Sequence, residues 1–242
     1  VERGSRFRGF TPEGERVLGW ARRLVGDARA MRAEMRTVRE GLSGTLRLGV
    51  IPTALPMVAR LTTPFAQRHP NVRLTVLSRT SAEILAGIER LELDAGLTYL
   101  DNEPLGRVVQ VPLYAEFYRL LCAPGLAFAD RDQVTWGELA GLPLCLLTAD
   151  MQNRRIVAQH LAEAGVAVAP QVESNSTIAL IAHVMTGRWA SVLPKSLADL
   201  LATAGTLRAI PIVAPEAEHL VGLIAAHREP HTPLIEALLE AG

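Results

Sequence analysis

Nine polar residues stand in turns that follow apolar, strand-like runs: Thr53, Ser78, Thr80, Ser81, Thr98, Thr148, Gln152, Asn175 and Ser176. In open α/β sheets the crevice outside the strand ends, beside the helix N-termini that follow, is where ligands bind. Hydroxyl and amide side chains there, together with unpaired backbone N–H groups and positive helix ends, suit a small anion or carboxylate. Arg79, Arg154 and Arg155 flank these turns and would add positive charge. A plainer reading applies to each turn alone, because Ser, Thr and Asn cap helices wherever helices begin. Thr80 and Glu83 have the spacing of a capping box. Five such turns on one edge of the protein are what point to a cleft.

Catalytic constellations do not emerge. The sequence has no GxSxG elbow, no HExxH, no GxxxxGK[ST] and no GxGxxG after a strand. His227 and His231 flank Pro230, so no helix can present them as a pair. His69, His160 and His183 are isolated, and Asp94 and Asp101 have no visible acid–base partner. No Cys/His cluster has zinc spacing. We therefore expect no enzyme, no metal and no cofactor. Cys122 and Cys145 lie in the apolar runs LLC and LPLCLL. They read as buried, inert thiols, since a redox switch needs an exposed thiolate beside positive charge.

Alternating strands and helices must position the turns. Strands are expected at 45–51, 72–78, 94–99, 108–113, 118–122, 144–147, 171–173, 190–193, 207–212 and 219–227. Helices are expected at 55–68, 82–91, 136–139, 154–164, 178–186, 197–204 and 233–241. This is an α/β pattern with largely parallel sheets. There are too many strands for one small sheet, so two similar lobes are expected. The chain would leave the first near Glu116–Tyr118 and return near His219.

The first forty residues follow a different rule. Thr11-Pro12-Glu13 is a helix start, and Gly41–Gly44 is a stop and hinge. Between them Val17, Ala21, Leu24, Ala28, Met31, Met35, Val38 and Leu42 recur at spacings of 4, 3, 4, 3, 4, 3 and 4. That heptad seam calls for a partner helix, and a second copy of the chain fits it better than the chain's own body. Residues 1–42 carry ten Arg against six acidic residues, whereas the remaining residues carry fifteen Lys/Arg against nineteen acidic ones. A basic arm on an acidic body is compatible with a nucleic acid nearby, and equally with a solvated helix. VERGSRFRGF has no apolar signal-peptide region, and no run reaches the ~20 apolar residues of a membrane span. The expectation is a cytoplasmic protein without membrane contact.

Several segments in order carry a resemblance: Phe10-Thr11-Pro12-Glu13-Gly14, the long helix, GTLRLGV, His69-Pro70-Asn71-Val72, Leu93-Asp94-Ala95-Gly96-Leu97, and Gly187 through Pro194. Over essentially its whole length the chain resembles the LysR-type transcriptional regulators. The resemblance implies two Rossmann-like α/β lobes of the type 2 periplasmic-binding-protein kind, joined by two crossover strands and preceded by a coiled-coil linker helix. Residues 1–10 would be the remnant of a DNA-binding wing and 11–43 the dimerising linker. Residues 44–116 and 220–242 would form lobe I, and 117–219 lobe II. It implies a small-molecule effector in the cleft, homodimers that pair into homotetramers, and promoter DNA bound by a winged helix-turn-helix ahead of this segment. Thr53 and Thr80 match effector contacts of the family in the first lobe, and Thr148 and Asn175 match second-lobe turns. Trp189 departs from the family, which usually repeats glycine at that place. The alternative is a free-standing solute-binding protein of similar fold, which would carry a leader and no heptad helix. An enzyme on this scaffold and a cysteine-based sensor remain further alternatives.

Overall fold

The computed structural model describes residues 10–167 and 170–242. Apart from Phe10, the segment read as a wing remnant lies outside these residues. Helix α1 (Pro12–Glu40) begins where the sequence sets its cap: the Thr11 side chain accepts from the Gly14 backbone N–H at 3.2 Å. Glu13 and Glu15 occupy the positive end, Arg39 the negative end. The helix stops at Gly41, whose φ of 73° favours glycine.

One face of α1 docks on the body. Gly26 and Ala30 are buried there, and Arg22, Ala33 and Thr37 half-buried. Small residues permit the close approach: a Cβ at Gly26 would lie 2.1 Å from Arg228 Nη1. Arg22 pairs with Glu89 at 2.9 Å, and Arg29 donates to the Leu91 carbonyl at 3.0 Å. The heptad residues face elsewhere. Val17, Ala21, Leu24, Ala28, Met31, Met35 and Val38 are all exposed. Leu42 departs from them: it lies beyond the helix end and packs against the body core.

After the hinge the chain runs β1 (Gly44–Val50), α2 (Leu55–Arg68), β2 (Val72–Ser78), α3 (Ser81–Glu89), β3 (Ala95–Tyr99) and β4 (Val108–Glu116). It then enters a second lobe with β5 (Tyr118–Cys122), β6 (Val134–Thr135), β7 (Cys145–Leu147), α4 (Gln152–Glu163) and β8 (Val172–Ser174). That lobe continues through α5 (Thr177–Met185), β9 (Ser191–Pro194), α6 (Lys195–Ala202) and β10 (Arg208–Val213). β11 (His219–Ala226) and α7 (Pro233–Leu239) close the chain.

The two sheets repeat one plan. The first has the order β2-β1-β3-β11-β4, with β1 parallel to β2 and β3, and β11 antiparallel to both its neighbours. In the second, β7 pairs in parallel with β8, and the bridge Leu144↔Ala190 joins this pair to the β6-β10-β5-β9 sheet. There β5 runs antiparallel to both β9 and β10. Each lobe thus receives one antiparallel strand at a crossover, β5 going out and β11 returning. The element pattern expected from the sequence holds, with edges moved by a few residues. β6 was not expected; at two residues it is too short to show an alternation. Thr135 and Glu138 form a capping arrangement, with Glu138 N donating to Thr135 Oγ1 at 3.3 Å, at the start of a 3-10 turn, Gly137–Leu139. Trp189 is half-buried against the second-lobe core, with the Arg188 guanidinium 5.3 Å from its ring.

Candidate functional site

The strand ends and helix starts of the two lobes meet at a small cavity lined by Ile51, Pro52, Thr53, Thr80, Ser81, Leu147, Met151, Gln152 and Asn153. The first lobe brings the turn between β1 and α2 and the N-terminus of α3. The second brings the end of β7 and the N-terminus of α4. The lobes are shut on it: the cavity measures about 10 Å³, room for one water-sized body.

Thr53 and Ser81 are buried, and neither hydroxyl has a hydrogen-bond partner among the described residues. A buried hydroxyl without a partner costs free energy. Thr80 lines the same cavity, but its hydroxyl already accepts from Glu83 N at 3.1 Å while Thr80 N donates to the Glu83 carboxylate at 2.8 Å. These two bonds form the capping box at the start of α3. Gln152 reaches across the cleft: its amide donates to Asn102 Oδ1 at 2.6 Å, and its oxygen accepts from Thr98 Oγ1 at 3.5 Å. Thr98 is fully buried behind it.

Other expected residues lie apart from the cavity lining. Ser78 and Asn175 are exposed, and Ser176 is half-buried at the start of α5. Thr148 has a buried hydroxyl without a partner, one residue beyond the lining Leu147. The flanking arginines do not line the cavity either. Arg79 is exposed, Arg154 lies 3.8 Å from Glu173, and Arg155 grips Glu103 at 2.7 and 2.8 Å. Asn153 and Met151 belong to the lining and were missed. Their signal was weak because α4 begins at Gln152, two residues before its apolar spacing becomes legible.

Among the described residues no charged side chain lines the cavity, which lies beside the N-termini of α3 and α4; at α3 the capping box with Glu83 already satisfies part of that helix end.

A family model, the LysR substrate binding domain, matches residues 39–241. The chain belongs to the LysR family. It is the effector-sensing part of a LysR-type transcription regulator. A probable hydrogen peroxide-inducible genes activator of Mycobacterium avium is 30% identical over 226 residues, 93% of this chain and 72% of the relative. The dual regulator OxyR of Escherichia coli K12 is 25% identical, over all of this chain and 79% of its own length. Among solved structures, a full-length OxyR from Pseudomonas aeruginosa carrying a cysteine-to-aspartate change superposes with a TM-score of 0.77 at 24% identity, covering 99% of this chain and 78% of that one. The type 2 periplasmic-binding-like lobes expected from the sequence are thus the fold of this LysR chain. Among the described residues no helix is long and apolar enough to cross a membrane.

A second polar group lies under the LysR cleft, where the lobes join. The Tyr99 hydroxyl donates to Glu116 Oε1 and accepts from Asn153 Nδ2 at 3.0 Å. Glu116 is 2% exposed, and neither its Oε2 nor the Tyr114 hydroxyl has a hydrogen-bond partner among the described residues. Burial pushes the Glu116 carboxyl up to about 8, with the Asp101 carboxylate adding to the rise. At neutral pH this carboxyl is held protonated.

Proposed function

We propose that the cleft takes a small carboxylate or other small anion, held by the N-termini of α3 and α4 and by the hydroxyls of Thr53 and Ser81. The observation that carries this reading is the pair of buried, unpartnered hydroxyls set at converging helix ends, with no charged side chain between them. A ligand larger than water does not fit the shut cavity. It would bind a more open arrangement of the lobes, and its effect on regulation would be the population it shifts. The partner of the outward seam on α1 would be a second copy of the chain, with pairs of dimers forming tetramers. Promoter DNA would be bound by a head domain preceding this segment.

The test is thermal unfolding against a panel of metabolic carboxylates and inorganic anions. A ligand at 100 times its dissociation constant should add about 2.7 kcal/mol. The shift should be lost in Thr53→Val and Ser81→Ala, each of which removes a hydroxyl with little change of shape. A panel without any shift, on well-folded protein, would sink the anion reading. So would a shift that both variants keep.

The names of the relatives raise peroxide as a stimulus. In this chain the thiols oppose a cysteine mechanism. Cys122 and Cys145 are both buried, and desolvation raises the first thiol and pushes the second up to about 11. Little thiolate is present at neutral pH to attack an oxidant. We expect peptide mapping after peroxide treatment of folded protein to find both cysteines unoxidised. Rapid sulfenic acid formation at either would restore the thiol reading.

A further inference from the structure

Helix α4 is the second lobe's grip on the first. From its N-terminus onward, Gln152 holds Asn102, Asn153 holds Tyr99, and Arg155 holds Glu103. One helical turn further, His160 meets His219, the first residue of the returning strand β11, with Nε2 to Nε2 at 3.2 Å. His219 Nδ1 lies 3.2 Å from Asp101 Oδ1, whose other oxygen accepts from Leu220 N at 2.9 Å. On the far side His160 Nδ1 lies 3.4 Å from Glu163 Oε2.

These contacts assign the protons. Asp101 requires the hydrogen of His219 on Nδ1, which leaves His219 Nε2 as an acceptor. His160 then donates from Nε2, and its Nδ1 is bare. One further proton can be housed on that Nδ1, beside Glu163, without breaking the contact between the rings. A second cannot. It would have to go to His219 Nε2, turning both facing nitrogens into donors and setting two positive rings against each other.

We infer that the His160–His219 pair is a proton-operated clasp between the lobes, closed at neutral pH and released when both imidazoles are charged. Other groups around the pair do not relieve the clash. Tyr99 and Tyr118 pack edge-on to the His219 ring, Trp136 stacks on His160 at 5.0 Å, and Tyr118 lies beside His160. All are uncharged at this pH. Glu116, paired with His219 in the β11–β4 ladder, is protonated and brings no negative charge. Among the described residues Asp101 and Glu163 do so, one for each ring. Burial, with His219 second, lowers the His160 imidazole below its ordinary range. The closed form therefore binds fewer protons than an open one would. Its advantage is complete above the ordinary imidazole range and is lost as pH falls through and below it. This device concerns the lobes themselves and stands independently of the anion proposed for the cleft.

Energy transfer between dyes on Arg60→Cys in the first lobe and Arg188→Cys in the second, both exposed positions, reads the interlobe distance without ligand. Between pH 8 and pH 5 the transfer should fall reversibly, while far-UV circular dichroism stays constant. The closed-to-open ratio should drop by up to about tenfold per pH unit for each linked proton. In His219→Gln or His160→Gln, which cannot charge both rings, the transition should vanish. A distance that does not move in the parent chain would overturn the clasp. A transition unchanged in both glutamine variants would do so too.

Discussion

Glu116→Gln is expected to make the protein more stable at neutral pH, by about 3 kcal/mol at pH 7, and no more stable near pH 4. The wild-type carboxyl ionises freely in the unfolded chain at its ordinary 4.5 but is held protonated to about 8 in the fold. A group whose folded value is raised gives its full stabilisation below the unfolded value, and that stabilisation is lost as pH climbs toward the folded one. At pH 7 the unfolded chain has gained about 2.5 pH units of ionisation, at 1.36 kcal/mol each. Glutamine is neutral in both states and escapes this loss. It keeps the acceptor for the Tyr99 hydroxyl. The check is denaturant unfolding of both proteins at several pH values from 4 to 9. The stability difference should open above pH 4.5 and level off near pH 8. Parallel curves across the range would mean that Glu116 is ionised in the fold.

The polar cluster at the crossover was illegible in the sequence, although the crossover itself was not. Glu116 follows the apolar run of β4 by a few residues and looks like any solvated strand end. His219 and His160 are separated by 58 intervening residues, and the spacing of either within its own element carries no signal. The cluster exists only because β4, β5, β11 and α4 converge where the chain crosses between sheets. Local pattern reports local structure, and convergence of distant polar residues is a product of topology. The cleft was more legible because its residues obey a local rule. Hydroxyls that follow a strand and start a helix can be found by reading along the chain, and Thr53, Thr80, Ser81 and Gln152 do line the cavity. The same rule over-collects. Ser78 and Asn175 satisfy it and yet face solvent, since alternation along β2 and β8 decides which side of the sheet a turn residue meets. The elements themselves were readable because α2, β2 and β5 have both a clean period and clear punctuation by Pro, Asn or Gly. Edges shifted where a helix starts on polar residues, as α4 does.

Leu24→Glu with Met31→Glu should convert the chain from dimer to monomer, with little loss of its own fold. The periodicity asks for a helical partner, and the structure shows which face is available. Leu24 and Met31 are 67% and 63% exposed, and Val17, Met35 and Val38 are at least as open as Met35 at 60%. The body is held mainly by the other face, through Gly26, Ala30 and Arg22, so these two largely exposed residues contribute little to intrachain packing. A helix that leaves such a row in water is unfavourable alone. Burying each large side chain in a two-helix seam returns about 1.5–3 kcal/mol. A glutamate at either position would instead bring a desolvated charge, and against its symmetry mate two of them, into the contact. Light scattering through a size-exclusion column should give one chain's mass for the variant and two or more for the parent, with equal circular dichroism. Retention of the parent's mass would move the dimer contact off the seam and onto the lobes. It would leave the heptad of α1 without a partner.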